Sequence, residues 1–298
     1  MFNTRLLATT LLCTLLAVPT LAADLTGTLK KIQDTNSISL GHRESSIPFS
    51  YYDEKQQVVG YSHEMMLKAV DAIKANLKLP NLQIRLVPVT SQNRIPLIQN
   101  GTIDIECGST TNNTERQKQV SFSDTIFIIG TRLLTKKDSG IKDFGDLAGK
   151  NVVTTAGTTS ERLLREMNDQ KKMGMNIISA KDHGESFLTL ETGRAVAFMM
   201  DDALLYGEMA KAKRPGDWVV VGKPQSNEAY GCMLPKDDAP YKKIIDDAIA
   251  KVMASGEAEK IYNKWFLQPI PPKGLNMNFP LSDEMKALYK SPNDKAYQ

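Results

Sequence analysis

The chain reads as an α/β protein, and three observations predict it. Short apolar runs alternate with helical patterns along most of the length. Hydroxyl, arginine, histidine and aspartate residues recur just after those runs, which is where open α/β sheets bind ligands. Two apolar segments, 130–135 and 229–234, flank a central block that has its own strand-helix alternation, so two lobes joined by two crossover strands are expected.

The N-terminus comes first. Arg5 precedes an uncharged apolar run over 6–21, and a small-residue exit at Thr20, Leu21 and Ala22 leads to the first acid, Asp24. That order predicts a secretory signal peptide over 1–22, too short and too promptly followed by polar sequence to be a membrane span. Leu12 rather than a small residue stands before Cys13, which argues against a lipid-anchored start. Strands are then expected at 37–40 (SISL), 83–89 (QIRLVPV), 103–107 (IDIEC), 151–154 (NVVT), 176–179 (NIIS), 195–200 (AVAFMM), 218–221 (WVVV) and 230–234 (YGCML). Helices fill the gaps at 63–77, 91–99, 159–168, 185–192, 203–212, 241–254 and 257–266, with stop signals such as Asn100-Gly101 and Gly193. Pro269, Pro271 and Pro272 end the last of these, and the remainder reads as a surface tail over 271–298 with a short helix near 283–289. The expected first lobe is discontinuous, 24–130 plus 230–270, and the second spans 131–229.

Composition narrows the function classes. The 41% hydrophobic content suits ordinary globular cores, and the net charge of +3, which includes Arg5, comes without a long basic run. Nucleic acid is therefore not an expected partner. Removal of the leader leaves Cys107 and Cys232 in an exported protein, and a single disulfide between them is expected, against the alternative of two buried thiols. His42, His63 and His183 are too scattered for a metal site, and no cofactor is expected.

The polar residues carry the chemistry. IDIECGSTTNNTER places Ser109, Thr110 and Thr111 in a hydroxyl-rich loop leading to Arg116, whose planar fork matches a carboxylate. GHRESSIPFSYYD places Arg43 after the first strand with Phe49, Tyr51 and Tyr52 as candidate walls; TSQNRIPLIQNG offers Ser91 as a helix cap with Arg94 in the first turn. TTAGTTSERL sets Gly157, Thr158 and Thr159 at a helix N-terminus, AKDHGESF puts His183 at a strand exit, and FMMDDALL ends a strand on Asp201 and Asp202. Each has a plain alternative: a surface ion pair for an arginine, a helix cap for His183 or for one of the aspartates. Their joint recurrence at equivalent positions favours a site. Three guanidiniums against one carboxylate point to a zwitterion with two carboxylates.

These motifs, with FSDTIF, GKPQSNEAYGCML and the tail IPPKGLNMNFPLSDEMKAL, closely resemble the periplasmic glutamate/aspartate-binding proteins of bacterial ABC importers, across essentially the whole mature chain. The resemblance implies a hinged two-lobe periplasmic binding protein fold of type II, acting as a monomer that captures L-glutamate or L-aspartate in the periplasm and docks on an inner-membrane permease. It further implies that Arg116 and Thr159 hold the α-carboxylate, and that Asp201 and the Ser109 hydroxyl take the α-ammonium. Arg43, Ser91, Arg94 and His183 would hold the side-chain carboxylate, with Thr111 lining the pocket. The rival from another class is a periplasmic lyase or dehydratase on the same scaffold, which would need a general acid or base such as His183 or Glu44.

Overall fold

The computed structural model describes residues 25–296. The signal-peptide reading of 1–22 lies outside the described residues. The first part of the chain runs α1 (Gly27–Thr35), β1 (Ser37–His42), a small sheet of β2 (Ser45–Ser46), β3 (Ser50–Tyr52) and β4 (Val58–Val59), then α2 (Tyr61–Leu77) and β5 (Gln83–Pro88). It continues through α3 (Arg94–Gln99), β6 (Ile105–Glu106) and α4 (Thr114–Gln117) to a long strand, β7 (Ser121–Lys136). The middle alternates as β8 (Asn151–Thr155), α5 (Thr159–Gln170), β9 (Asn176–Ala180), α6 (His183–Glu191), β10 (Ala197–Asp201), α7 (Asp202–Lys211) and β11 (Trp218–Val221). The chain returns through β12 (Asn227–Leu234), α8 (Ala239–Ala254) and α9 (Glu257–Phe266), and finishes with α10 (Asp283–Lys290).

Strand β7 joins the two halves. Up to Gly130 it pairs antiparallel with β12, which continues to β6, β1 and β5. From Thr131 onward it pairs with β10 and β11, and β10 continues in parallel to β8 and β9. The sheet therefore passes from one lobe to the other through a shared strand. The expected second crossover over 229–234 needs correction: the register Asn227↔Gly130 to Leu234↔Ser121 places all of it inside the first lobe's sheet. The chain crosses back before Asn227. The first half of β7 also escaped the sequence, because Ser121, Ser123 and Asp124 interrupt its apolar pattern.

Local chemistry explains the elements that carry the site. Apolar residues Met65, Met66, Ala69, Val70, Ile73 and Leu77 recur at helical spacing along α2 and are buried. The Thr158 hydroxyl accepts from Glu161 N to start α5, and the Asp182 carboxylate accepts from Glu185 N to start α6. Beneath the cleft, Phe49 packs edge-on to Tyr230 at 5.1 Å and to Phe127 at 4.8 Å, while Tyr262 stacks on Phe266 at 4.4 Å. These rings form one aromatic cluster.

Cys107 and Cys232 are bridged, tying the end of β6 to β12. Closing a loop of 125 residues in sequence constrains the unfolded chain, a contribution of about 2 to 4 kcal/mol. The tail is more than a surface wrap. Met285 and Leu288 of α10 are buried, Ile128 N donates to Met285 Sδ at 3.2 Å, and Asp294 O accepts from Asn112 Nδ2 at 2.9 Å. Lys273 Nζ donates to Lys211 O at 2.8 Å, so the tail also reaches α7.

Candidate functional site

On the first lobe, the end of β1, the start of α3 and the short helix α4 deliver three arginines. Arg43 and Arg94 are 1% exposed and Arg116 is 9%. Arg43 Nη1 donates to Ser109 Oγ at 3.3 Å; Arg94 Nη1 donates to Ser109 O at 3.0 Å and to the Thr110 hydroxyl. Arg116 Nη1 donates to Thr111 O at 2.9 Å. Burial, then the neighbouring Arg94 charge, pulls Arg43 down to about 10 and Arg116 to about 9, so both stay cationic at neutral pH.

The second lobe presents Thr159 and His183 at helix starts and Asp201 at the end of β10. His183 Nδ1 lies 2.9 Å from Thr155 Oγ1, and burial together with the Arg43 and Arg94 charges drives its pKa well down. It is a neutral ring with Nε2 as its free edge. Asp201 accepts from the hydroxyls of Thr131 at 2.7 Å, Ser160 at 3.4 Å and Tyr230. Burial, then the Glu228 carboxylate, pushes Asp201 up to about 7.

The lobes meet over the site. Arg116 Nη2 donates to Gly157 O at 3.3 Å, Gly184 N donates to Ser45 Oγ at 3.2 Å, and the hydroxyls of Thr111 and Thr159 lie 3.5 Å apart. Gly157 lies against the backbone of Gln92, where an added Cβ would come within 2.8 Å. A cleft of about 470 Å³ opens at one side, with Thr111, Thr159 and Glu228 on its wall.

Several expectations change. Ser91 does not cap α3, which starts at Arg94 after Asn93; the Ser91 hydroxyl is buried with no protein partner. His183 is the first residue of α6, whose cap is Asp182. Tyr51 gives its hydroxyl to Pro271 O at 2.6 Å and Tyr52 packs on His42, so neither walls the site; Phe49 supports it from below through Tyr230. Arg116 pairs with neither Glu115, which is held by Lys118, nor Asp124.

The charge count also changes. Glu106 is 0% exposed and Glu228 is 5%, so three carboxylates, not one, are buried near the three guanidiniums. Glu106 Oε2 accepts from Thr110 Oγ1 at 2.6 Å; Glu228 accepts from Thr159 Oγ1 at 3.0 Å and Ser226 Oγ at 2.7 Å. The two-carboxylate ligand then rests on where the charges sit rather than on their sum. Arg43, Arg94 and neutral His183 gather at one end, and Asp201 and Glu228 at another. Sequence reasoning missed Glu106, Glu228, Tyr230 and Thr131. The one signal was an acid inside an otherwise apolar run, as in IDIEC and SNEAYGCML.

Residues 38–268 match the bacterial extracellular solute-binding proteins, family 3. The L-glutamate/L-aspartate-binding protein of Pseudomonas aeruginosa is 68% identical over 292 residues, covering 98% of this chain and 97% of that protein. The glutamate/aspartate import solute-binding protein of Escherichia coli K12 is 68% identical over 269 residues, 90% of this chain and 89% of that one. Among solved structures, a variant of the arginine-binding protein from T. maritima aligns with a TM-score of 0.71 at 25% identity, covering 80% of this chain and 98% of that one.

Proposed function

The chain belongs to the bacterial extracellular solute-binding proteins, family 3, and on that premise we propose that it captures L-glutamate and L-aspartate between its lobes and delivers them to an ABC permease. The observation that carries this reading is a set of buried polar atoms with no protein partner on residues named above for the side-chain carboxylate. Arg94 Nε, Ser91 Oγ and His183 Nε2 are all of this kind. Unpartnered donors are costly inside a protein, and a carboxylate is the group that satisfies several at once.

In this reading Arg43, Ser91, Arg94 and His183 receive the side-chain carboxylate. Arg116 and Thr159 receive the α-carboxylate, with Thr111 beside them. Asp201, with the Ser109 hydroxyl, takes the α-ammonium. The first lobe, up to Gly130 and again from Asn227, supplies the arginines; the second, between those crossings, supplies His183, Thr159 and Asp201. Closure follows from differential affinity, because the ligand gains both sets of partners only when the lobes meet.

The chain is proposed to work as a periplasmic monomer released by cleavage of 1–22. No helix among the described residues is long and apolar enough to cross a membrane. The lyase reading loses ground on two counts: both relatives are named as binding proteins, and Glu44 is exposed rather than in the cleft.

Thermal melting of ligand-stripped protein against a panel of amino acids tests the proposal. A ligand at a thousand times its Kd adds about 4 kcal/mol, which raises Tm by roughly 8 to 16 °C in a chain of this size. L-glutamate and L-aspartate are expected to do so, and L-glutamine, L-arginine and L-leucine are not. Stabilisation by L-arginine or L-leucine alone would overturn the reading.

A further inference from the structure

The acid buried among the arginines has no role in ligand capture as described so far. Glu106 lies in β6 and pairs across to Met233 of β12, next to the disulfide at Cys107 and Cys232. Its Oε2 accepts from Thr110 Oγ1 at 2.6 Å, and the same hydroxyl accepts from Arg94 Nη1. Thr110 thus links carboxylate to guanidinium. The other oxygen, Oε1, is buried with no partner. Gly108 is what lets the acid lie beside Arg43: a Cβ there would come within 2.5 Å of Glu106 Oε1 and 2.9 Å of Arg43 Cγ. Glu106 sits outside direct ion-pair contact with either arginine, yet its charge acts on Arg43, Arg94 and Arg116.

We propose that Glu106 is the specificity-determining counter-charge of the side-chain pocket: it offsets one of the two guanidiniums of Arg43 and Arg94, so that the pocket takes a monoanionic carboxylate and disfavours a dianionic group. The proposal rests on the acidic amino-acid reading above and deepens it. A pocket with two uncompensated guanidiniums would draw a phosphate-like dianion more strongly than a carboxylate. With Glu106 behind them, the forks keep their donors and geometry while the net charge falls to one. The carboxylate oxygens of Glu106 face Thr110 and Gly108, so the acid sets the charge without occupying the donors. A buried acid held this way loses solvation, and the hydrogen bond from Thr110 and the nearby positive charges compensate it.

The test compares L-glutamate with its phosphonate analogue, L-2-amino-4-phosphonobutyrate, by titration calorimetry at pH 8, where the phosphonate is mostly dianionic. The readout is the ratio of the two affinities, in which the steric cost of the larger tetrahedral group cancels between variants. Wild-type protein is expected to favour glutamate. Glu106→Gln, nearly isosteric, is expected to move the ratio towards the phosphonate by at least tenfold, about 1.4 kcal/mol. Thr110→Val removes the link but keeps the charge, so it is expected to weaken both ligands with a ratio within about twofold of wild type. A purely structural role for Glu106 would lower both affinities together.

Should Glu106→Gln not fold, as judged by its melting transition, the double variant Glu106→Gln with Arg43→Gln removes one charge of each sign. It is expected to bind glutamate more weakly with the wild-type ratio retained, and a ratio shifted tenfold there would overturn the proposal. A wild type that binds glutamate, paired with an unchanged ratio in a folded Glu106→Gln, overturns the proposal alone. A wild type that binds no glutamate overturns the functional reading and the proposal with it.

Discussion

Asp201 carries the sharpest prediction at the level of single residues. Burial and the Glu228 carboxylate raise its pKa to about 7, so the free acid is largely protonated at pH 5 and 6. A ligand ammonium placed beside it favours the ionised form, so the bound state holds fewer protons than the free one. Binding then releases a proton, and affinity is expected to rise with pH up to about 7 and to level off above it. Glutamate titrations from pH 5 to 8 in buffers of different ionisation enthalpy measure both effects. Asp201→Asn should abolish the pH dependence and weaken binding by about a hundredfold, near 3 kcal/mol; an unchanged profile would remove Asp201 from the ammonium site. Arg43, Arg94, Arg116, His183 and Asp201 stood out in the sequence as candidates because each falls at or shortly after the end of an apolar run. Glu106, Glu228 and Tyr230 were not, because each lies within a strand and reads as part of it. Whether a strand acid faces solvent or an arginine depends on pairing partners far away in the chain.

Secondary structure followed local pattern wherever that pattern was unbroken. The apolar runs that became β8 to β11, and the periodic helices α2, α8 and α9, needed only composition and spacing. Helix α1 and the first half of β7 escaped notice because polar residues interrupt them and tertiary pairing completes them. Strand β6 contracts to Ile105–Glu106, since Asp104 turns its carboxylate to accept from Ser39 N at 2.9 Å. Helix α10 was found near its true bounds, but its burial was not. The family match ends at residue 268, so this helix lies beyond the shared core. Met285 is 1% exposed, and Met285→Ala is expected to cost about 2 to 5 kcal/mol of unfolding free energy in urea. A loss below 0.5 kcal/mol would mean that the tail contributes little.

Closure is a property of the whole molecule, and its geometry concentrates at Gly157. This residue has φ +77° and lies against Gln92 across the cleft. Gly157→Ala costs roughly 1 kcal/mol of backbone strain and adds a methyl where the lobes meet. The variant is expected to melt near the wild-type temperature without ligand, to bind glutamate at least tenfold more weakly, and to stay more extended in small-angle scattering at saturating glutamate. Compaction equal to wild type would show that the lobes close without that contact. The two-lobe architecture itself was readable from the flanking apolar segments, although the return crossing lies before Asn227 rather than within 229–234.

We propose that Arg43 and Arg94 recognise the side-chain carboxylate of the ligand. L-glutamate and L-glutamine differ there by one oxygen against one NH₂, so calorimetric titration of ligand-stripped protein with each isolates that contact. Glutamate is expected to bind at least about a hundredfold more tightly, since an amide presents donors to donors. Equal affinity for the two would contradict it.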